Sequence, residues 1–152
     1  MEKTASDVQK ERIKEIEEKA SQLLDKCAVI TLASINEKGY PRTCAISKIR
    51  NTGFSEIYFM TSKRSHLTGK ATHFENNTQA SVCYFIDGDS VTLIGDVEIV
   101  MDMDEKRKFE KECDRRFFKK GIEDPKCYLL KFRTKEATFW IEGKFRTCKY
   151  KV

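Results

Sequence analysis

Apolar side chains near the start of the chain recur with the period of an α-helix. They stand three or four residues apart, at Ile13, Ile16, Ala20, Leu23, Leu24 and Cys27. This spacing places one apolar stripe along a helix and leaves charged residues on the opposite side. The pattern predicts a helix over residues 8–27 that packs on the core or on a partner subunit.

Beyond residue 27 the hydrophobic pattern becomes typical of β-strands. Seven runs rich in β-branched and aromatic residues follow, at residues 28–35, 43–49, 56–61, 80–86, 90–100, 127–133 and 137–142. Turn signals such as NEKG and DGD separate neighbouring runs and favour hairpins. Gly95, in the middle of the fifth run, predicts a bulge that curves the sheet.

Two further helices are predicted between strands, at about residues 65–75 and 105–118, where apolar residues return to helical spacing. A parallel sheet would need a helix between nearly every pair of strands, and this sequence supplies too few. We therefore predict one mainly β domain, an antiparallel barrel with α additions. Its parts are an N-terminal helix (1–27), a barrel (about 28–142) and a C-terminal tail (143–152).

The composition fits one globular domain. The chain has 152 residues, of which 39% are hydrophobic and 11% aromatic. Its 29 basic residues are balanced by 24 acidic ones, whereas a nucleic-acid-binding surface is more one-sided and clustered. No apolar run is long enough to cross a membrane, and the charged N-terminus lacks the apolar segment of a signal peptide. We expect a cytoplasmic protein with no membrane or nucleic-acid partner.

Metal and protein-supplied catalytic chemistry are not indicated by the motifs. None of the six cysteines lies in a CxxC pair, and neither histidine is spaced with a cysteine as zinc requires. Disulfides are not expected in the cytoplasm. The sequence contains no GxSxG, HExxH, P-loop or GxGxxG motif. Catalytic residues therefore stay unassigned, and any reaction would depend on a cofactor.

Hydroxyl and basic side chains crowd the segment IYFMTSKRSHLTGK, which joins a predicted strand to a predicted helix. They are Thr61, Ser62, Lys63, Arg64, Ser65 and Lys70. A phosphate at such a turn could receive several charge-assisted hydrogen bonds. A polar surface turn with Ser65 as the helix N-cap explains the same residues equally well.

The order of the motifs resembles the FMN-binding split-barrel superfamily, which includes pyridoxamine 5′-phosphate oxidase and the general stress protein 26-like flavoproteins. The similar segments are TLASINEKGYPRTCAIS, IYFMTSKRSHLTGK, HFENNTQASVCYF, VTLIGDVEIV, FFKKGIEDP and ATFWIEG. The general stress protein 26-like branch is the most similar one. The resemblance implies a six-stranded antiparallel split β-barrel that forms a homodimer with FMN at the subunit interface.

The same resemblance implies a set of cofactor-binding residues. Lys70 would contact the FMN phosphate, and Thr61 and Ser62 would line the phosphate and the ribityl chain. Arg42 would join them, the strand segment 44–47 would run beside the isoalloxazine ring, and Trp140 would lie near the flavin. No role is implied for Lys63 or Arg64. The full set is Arg42, Cys44, Ala45, Ile46, Ser47, Met60, Thr61, Ser62, Lys70 and Trp140.

Two branches of the superfamily fit the sequence less well. Vitamin B6 oxidases carry an Arg-x-His pattern soon after the tryptophan, whereas this chain has Arg146 and then Cys148. Proteins resembling nitroimidazole reductases place a histidine near the flavin, and neither His66 nor His73 lies on the expected strand. We therefore do not expect a true pyridoxamine phosphate oxidase.

Three functions are consistent with the sequence. The first is an FMN-dependent oxidoreductase that passes electrons from NADH or NADPH to a small-molecule acceptor. The second is an FMN-binding protein without turnover, which acts as a flavin store or a stress-related sensor. The third, from another class, is a small barrel that binds single-stranded nucleic acid through basic and aromatic residues.

Overall fold

The computed structural model describes residues 2–62 and 70–151. Its helices are α1 (Ala5–Asp25), α2 (Lys70–Asn76) and α3 (Met103–Arg107). Its strands are β1 (Val29–Ile35), β2 (Pro41–Thr52), β3 (Glu56–Ser62), β4 (Gln79–Ile86), β5 (Asp89–Val100), β6 (Cys127–Ile141) and β7 (Lys144–Lys149). Two 3₁₀ turns lie between α3 and β6, at Glu110–Glu112 and Gly121–Glu123.

Six antiparallel strands form a closed barrel in the order β3-β2-β1-β4-β5-β6, which the pairing of β3 with β6 completes. Strand β7 adds to the other edge of β6 and lies outside the barrel. The predicted fold class is therefore confirmed: a six-stranded antiparallel barrel with an N-terminal helix and two further helices.

The barrel has an opening between β2 and β3. Residues 41–47 of β2 pair with β1, but β2 pairs with β3 only from Lys48 to Thr52. Beyond Phe59, β3 pairs with β6 alone within the described chain. The second edge of β2 along residues 41–47 thus has no strand partner in the part of the chain that is described. We call this edge the open edge of β2.

Main-chain crowding at an irregularity in β5 explains the glycine at position 95. The ladder between β5 and β6 shifts register between Ile94 and Gly95, as the sequence predicted. A Cβ atom at position 95 would lie 1.9 Å from the carbonyl oxygen of Arg133. Only glycine fits there without displacing the neighbouring strand.

Two predicted strands proved to be one. The runs 127–133 and 137–142 belong to β6, a 15-residue strand that pairs with β3, β5 and β7 along different parts of its length. The intervening polar residues 133–136 resembled a loop in sequence, but Arg133 and Lys135 simply occupy exposed positions. Thr134, between them, is buried and donates its hydroxyl hydrogen to the Phe54 carbonyl oxygen at 2.6 Å.

The predicted C-terminal tail, residues 143–152, contains strand β7. Glu142 and Gly143 both have positive φ angles, 53° and 73°, which suits a two-residue hairpin turn between β6 and β7. Strand β7 reads KFRTCK and lacks a regular apolar alternation. Its pairing with β6 was therefore not visible in the hydrophobic pattern.

The predicted helix at 105–118 is shorter than its sequence suggested. Asp102 caps α3 by accepting the backbone N–H of Asp104 at 2.9 Å, but the helix ends at Arg107. Farther along, the Asp114 carboxylate accepts the backbone N–H of Arg116 at 2.9 Å, a local turn that competes with helical hydrogen bonding. The apolar residues in between pack on the barrel from a mostly irregular segment.

Two hydrophobic clusters stabilise the molecule. The main cluster fills the barrel and includes Phe59, Phe132 and Phe139, all fully buried. Helix α1 packs on it through Ala20 and Leu24, while its first two turns are largely exposed. A second cluster joins residues 100–129 to the outside of the barrel; it consists of Val100, Phe109, Cys113, Phe118, Ile122, Cys127 and Leu129.

Candidate functional site

The open edge of β2 is the first element of the candidate site. Backbone N–H and C=O groups on an unpaired strand edge need partners, and a bound molecule can supply them. Side chains alternate along this edge. Cys44 and Ile46 point toward the interior, where Cys44 Sγ lies 3.5 Å from the Leu32 carbonyl oxygen and Ile46 is buried. Ala45 and Ser47 are exposed on the outer side.

Small uncharged side chains cover the outer side of the sheet beside this edge. Six of them are successive cross-strand neighbours from β2 to β7: Ala45, Thr31, Cys83, Thr92, Thr138 and Thr147. Large apolar residues stand beside this row, with Val29, Phe85 and Phe145 exposed to 56%, 68% and 70%. We call this area the outer face. Its lack of charge and its exposed apolar residues are typical of a surface that is covered in an assembly.

The end of β3 supplies hydroxyl groups. Thr61 and Ser62 are half-buried in the last two positions of the strand, paired with Tyr128 and Cys127 of β6. Thr61 lies on the same side of the strand as the buried Phe59, whereas Ser62 lies on the opposite side. Met60 packs on the second hydrophobic cluster. Of these three, Thr61 is the one on the interior side.

Helix α2 reaches this end of the barrel. It packs against β1, β3 and β5, and its Phe74 side chain is buried. A polar contact also joins α2 to β1. Ser34 Oγ of β1 lies 2.7 Å from His73 Nδ1 of α2, and both side chains are buried. Arg42 of β2 stands directly opposite Ser34 and is exposed.

The basic residues predicted for the phosphate site are only partly described. Arg42 and α2 are brought to the same end of the barrel through Ser34, although they are far apart in sequence. Lys70 is the first residue of α2, and its side chain lies outside the described part of the structure. Lys63, Arg64 and Ser65 also lie outside the described residues.

Trp140 does not join the other predicted site residues within one chain. It is 43% exposed on the outer side of β6, opposite Phe145 of β7, with ring centroids 6.3 Å apart. Across the sheet, β1, β4 and β5 separate β6 from β2. At the usual strand spacing this places Trp140 about 19 Å from the open edge along that side.

A separate groove lies at the other end of β2. It has a volume of about 890 Å³ and is lined by α1, the β2–β3 turn and the last residues of the chain. The Tyr150 hydroxyl donates to Glu17 Oε2 at 3.0 Å, and the Tyr150 ring meets Phe54 edge-on. Burial, together with this hydrogen bond to the Glu17 carboxylate, raises the pKa of Tyr150. No pattern in the sequence indicated this groove.

Buried thiols do not form a second reactive site. Cys113 and Cys127 both belong to the second hydrophobic cluster. Burial raises the pKa of Cys113, and burial next to Cys113 raises that of Cys127 to about 12. Because the thiolate is the reactive form, these cysteines act as small apolar residues near neutral pH. All six cysteines are free.

The described part of the chain contains neither a metal-binding cluster nor a membrane-spanning helix. Within residues 2–62 and 70–151, no three His, Cys, Asp or Glu side chains come together in a way that could hold a metal ion. Over the same described residues, no helix combines the length and apolar character needed to cross a bilayer.

A closed six-stranded barrel with one strand edge left open defines a split-barrel protein, and sequence comparison gives its family. The sequence model of the family described as pyridoxamine 5′-phosphate oxidase like matches residues 11–150. The chain therefore belongs to the pyridoxamine 5′-phosphate oxidase-like family. No curated protein is significantly similar to it in sequence.

Solved structures share this fold at low sequence identity. A protein from Clostridium acetobutylicum related to general stress protein 26 of Bacillus subtilis superposes with a TM-score of 0.72 at 18% identity, over 89% of this chain and 94% of that one. General stress protein 26 from Bacillus anthracis gives 0.67 at 22% identity, over 88% and 98%. A heme binding protein from Mycobacterium smegmatis gives 0.69 at 14% identity, over 88% and 57%.

Proposed function

We propose that the protein binds FMN at the open edge of β2. The observation that carries the proposal is the convergence of three features at one end of the barrel. They are the open edge of β2, the hydroxyl-bearing end of β3, and helix α2, whose His73 contacts Ser34 opposite Arg42. The FMN phosphate would be held by Thr61, Ser62, Arg42 and Lys70.

The residues present fit the needs of a flavin. A flavin requires a flat uncharged surface, a few backbone hydrogen bonds to its pyrimidine edge and an anchor for its phosphate. The open edge offers backbone groups, and the small exposed side chains of Ala45 and Ser47 leave room for a ring. The cations Arg42 and Lys70 suit a phosphate. When bound, FMN would supply the electron-transfer chemistry, while the chain binds and orients it.

The proposed assembly is a homodimer that buries the outer face. This face is uncharged over its central row and carries exposed Val29, Phe85 and Phe145. Trp140 lies on the same face, too far from the open edge to reach a flavin bound in its own chain. A second copy packed on the outer face would cover the flavin and explain the predicted contact with a tryptophan.

A substitution that places a charge in the centre of the outer face tests the proposed homodimer. Thr92 is exposed there, so Thr92→Arg adds an unpaired cation to the proposed interface without disturbing the barrel interior. We expect a dimeric mass for the wild type and a monomeric mass for the variant in size-exclusion chromatography with light scattering, together with loss of FMN. Ser6→Arg, on the exposed start of α1, should stay dimeric. A dimer that persists in Thr92→Arg contradicts this interface.

The proposed activity is electron transfer between a reduced nicotinamide and a small-molecule acceptor. The alternative within the same site is a flavin store or stress-related sensor without turnover. Oxidation of vitamin B6 is not proposed, because Cys148 packs against the main core where that reaction's histidine would stand. Heme binding, named for one similar structure, has no support from His73, because its side chain is only 4% exposed and leaves no room for an iron ligand.

Titration with FMN tests the proposed function directly. Purified protein should be yellow or, after removal of flavin, should bind FMN with quenching of Trp140 fluorescence and an increase in Tm. A colourless protein whose Tm and fluorescence are unchanged by FMN overturns the proposal, and a heme spectrum instead would assign the site to heme. For the flavin-loaded protein, anaerobic bleaching by NADH or NADPH separates the oxidoreductase from the store or sensor.

A further inference from the structure

A buried polar pair ties α2 to the barrel. Ser34 and His73 are 3% and 4% exposed, and Ser34 Oγ lies 2.7 Å from His73 Nδ1. They are two of the three buried polar side chains in the described chain, the third being Thr134. An apolar contact would suffice for packing alone. A hydrogen bond at this position also fixes the relative orientation of the two side chains.

The two ring nitrogens of His73 face different partners. His73 Nε2 faces Glu37 Oε2 of the β1–β2 turn at 3.9 Å. In the neutral tautomer that carries its proton on Nε2, toward this carboxylate, Nδ1 accepts the Ser34 hydroxyl hydrogen. Ser34 therefore fixes both the position and the rotation of the His73 ring.

Helix α2 depends on such contacts for its position. It has seven residues, and a helix of this length is not stable without tertiary packing. The consecutive residues His73 and Phe74 both have buried side chains. Phe74 contributes an apolar contact with the barrel and His73 contributes a polar one. Loss of either partner of the Ser34–His73 bond leaves the other polar group buried without its hydrogen bond.

We propose that Ser34 and His73 are positioning residues for the phosphate end of the flavin site. Their hydrogen bond holds α2 against β1 next to Arg42, and Lys70 begins the same helix three residues before His73. The pair thereby sets the place of Lys70 without touching the ligand. This inference rests on the proposed FMN site, and it assigns a role to two residues that the sequence motifs did not single out.

The proposal predicts a selective effect on phosphate recognition. Riboflavin carries the same ring and ribityl chain as FMN but no phosphate. Ser34→Ala should weaken FMN binding about five- to tenfold, the effect of one misplaced charge-assisted contact, and should change riboflavin affinity less than twofold. Titration of both flavins, followed by tryptophan fluorescence, gives the two dissociation constants.

Two substitutions of His73 test whether the hydrogen bond to Ser34 is what maintains FMN affinity. The side-chain amide oxygen of asparagine can stand near the place of Nδ1, so His73→Asn keeps an acceptor for Ser34. Leucine fills the cavity but accepts no hydrogen bond. His73→Leu should reproduce the loss of FMN affinity seen in Ser34→Ala, and His73→Asn should restore most of it.

Thr134→Val is the matched control. It removes a buried hydroxyl and its 2.6 Å hydrogen bond to Phe54 O, at the other end of β2. It should lower the stability as Ser34→Ala does, yet keep the wild-type ratio of FMN to riboflavin affinity. Amide hydrogen exchange of residues 72–76 gives a readout without flavin, and it should increase in Ser34→Ala and not in Thr134→Val.

Several outcomes overturn the inference. Equal losses of FMN and riboflavin affinity would show a general loss of structure, and unchanged FMN affinity in both Ser34→Ala and His73→Leu would show that the pair does not act on the phosphate site. Unchanged exchange in α2 would show that the bond does not hold the helix. If the wild type binds neither flavin, the proposed function itself fails, and the exchange result then still decides whether the pair positions α2.

Discussion

Replacement of Lys70 by alanine is expected to weaken FMN binding by about 1.5–3 kcal/mol, which is roughly a 10- to 150-fold increase in Kd. The physical reason is the loss of a charge-assisted hydrogen bond to a dianionic phosphate, which is stronger than a bond between neutral groups. Isothermal titration calorimetry with FMN measures the change. Riboflavin affinity should stay within about twofold of the wild type, because riboflavin lacks the phosphate.

Lys63→Ala serves as the control for net charge. It removes the same charge from the same segment, but the family resemblance gives Lys63 no role at the phosphate. Its FMN affinity should fall by no more than about twofold, as expected for a solvated charge. Unchanged FMN affinity in Lys70→Ala, or equal losses in the two variants, would remove Lys70 from the phosphate site.

Gly95→Ala should lower the free energy of unfolding by about 2–3 kcal/mol. The added Cβ would lie 1.9 Å from the Arg133 carbonyl oxygen and 3.0 Å from the ring of Phe132. The first of these neighbours is main chain of β6, so relief requires the two strands to move apart at the bulge. Urea unfolding followed by fluorescence of Trp140 measures the loss.

Gly39→Ala separates this steric effect from backbone strain. Gly39 has a φ angle of 82°, and nothing lies within 4 Å of the position of its missing Cβ. Alanine there costs only the left-handed backbone conformation, about 1–2 kcal/mol. If Gly95→Ala is no more destabilising than Gly39→Ala, the close approach of β5 and β6 is not what requires a glycine at position 95.

The local pattern predicted the barrel well where strands are short and bounded by turns. Strands β1 and β4 each carry an apolar alternation that ends at a Gly- or Asn-containing turn. The strand predictions were wrong where the apolar alternation and the turn residues no longer mark the ends of a strand. The polar residues at 133–136 hid the continuity of β6, and the unpatterned β7 forms because Glu142 and Gly143 return the chain onto β6.

The positions of the predicted site residues depend on strand pleating and on strand pairing. Neither can be read from a local sequence pattern. Residues 44–47 were predicted as one stretch beside the flavin, and the pleat sends Cys44 and Ile46 inward and Ala45 and Ser47 outward. Trp140 lies on the outer face, remote from the open edge within one chain. Ser34 and His73 carried no recognisable motif, because the hydrogen bond joins residues 39 positions apart.

The sequence by itself determined the number and type of most elements, the antiparallel order and the membership in the pyridoxamine 5′-phosphate oxidase-like family. These follow from hydrophobic period, turn residues and motif order, which are all local or nearly so. Only the tertiary structure decided that β2 leaves one edge open within the described chain, and that Arg42, Ser34 and α2 meet at one end of the barrel. Such contacts depend on strand register and barrel closure, and a shift of one residue in register would reverse every side chain on the strand.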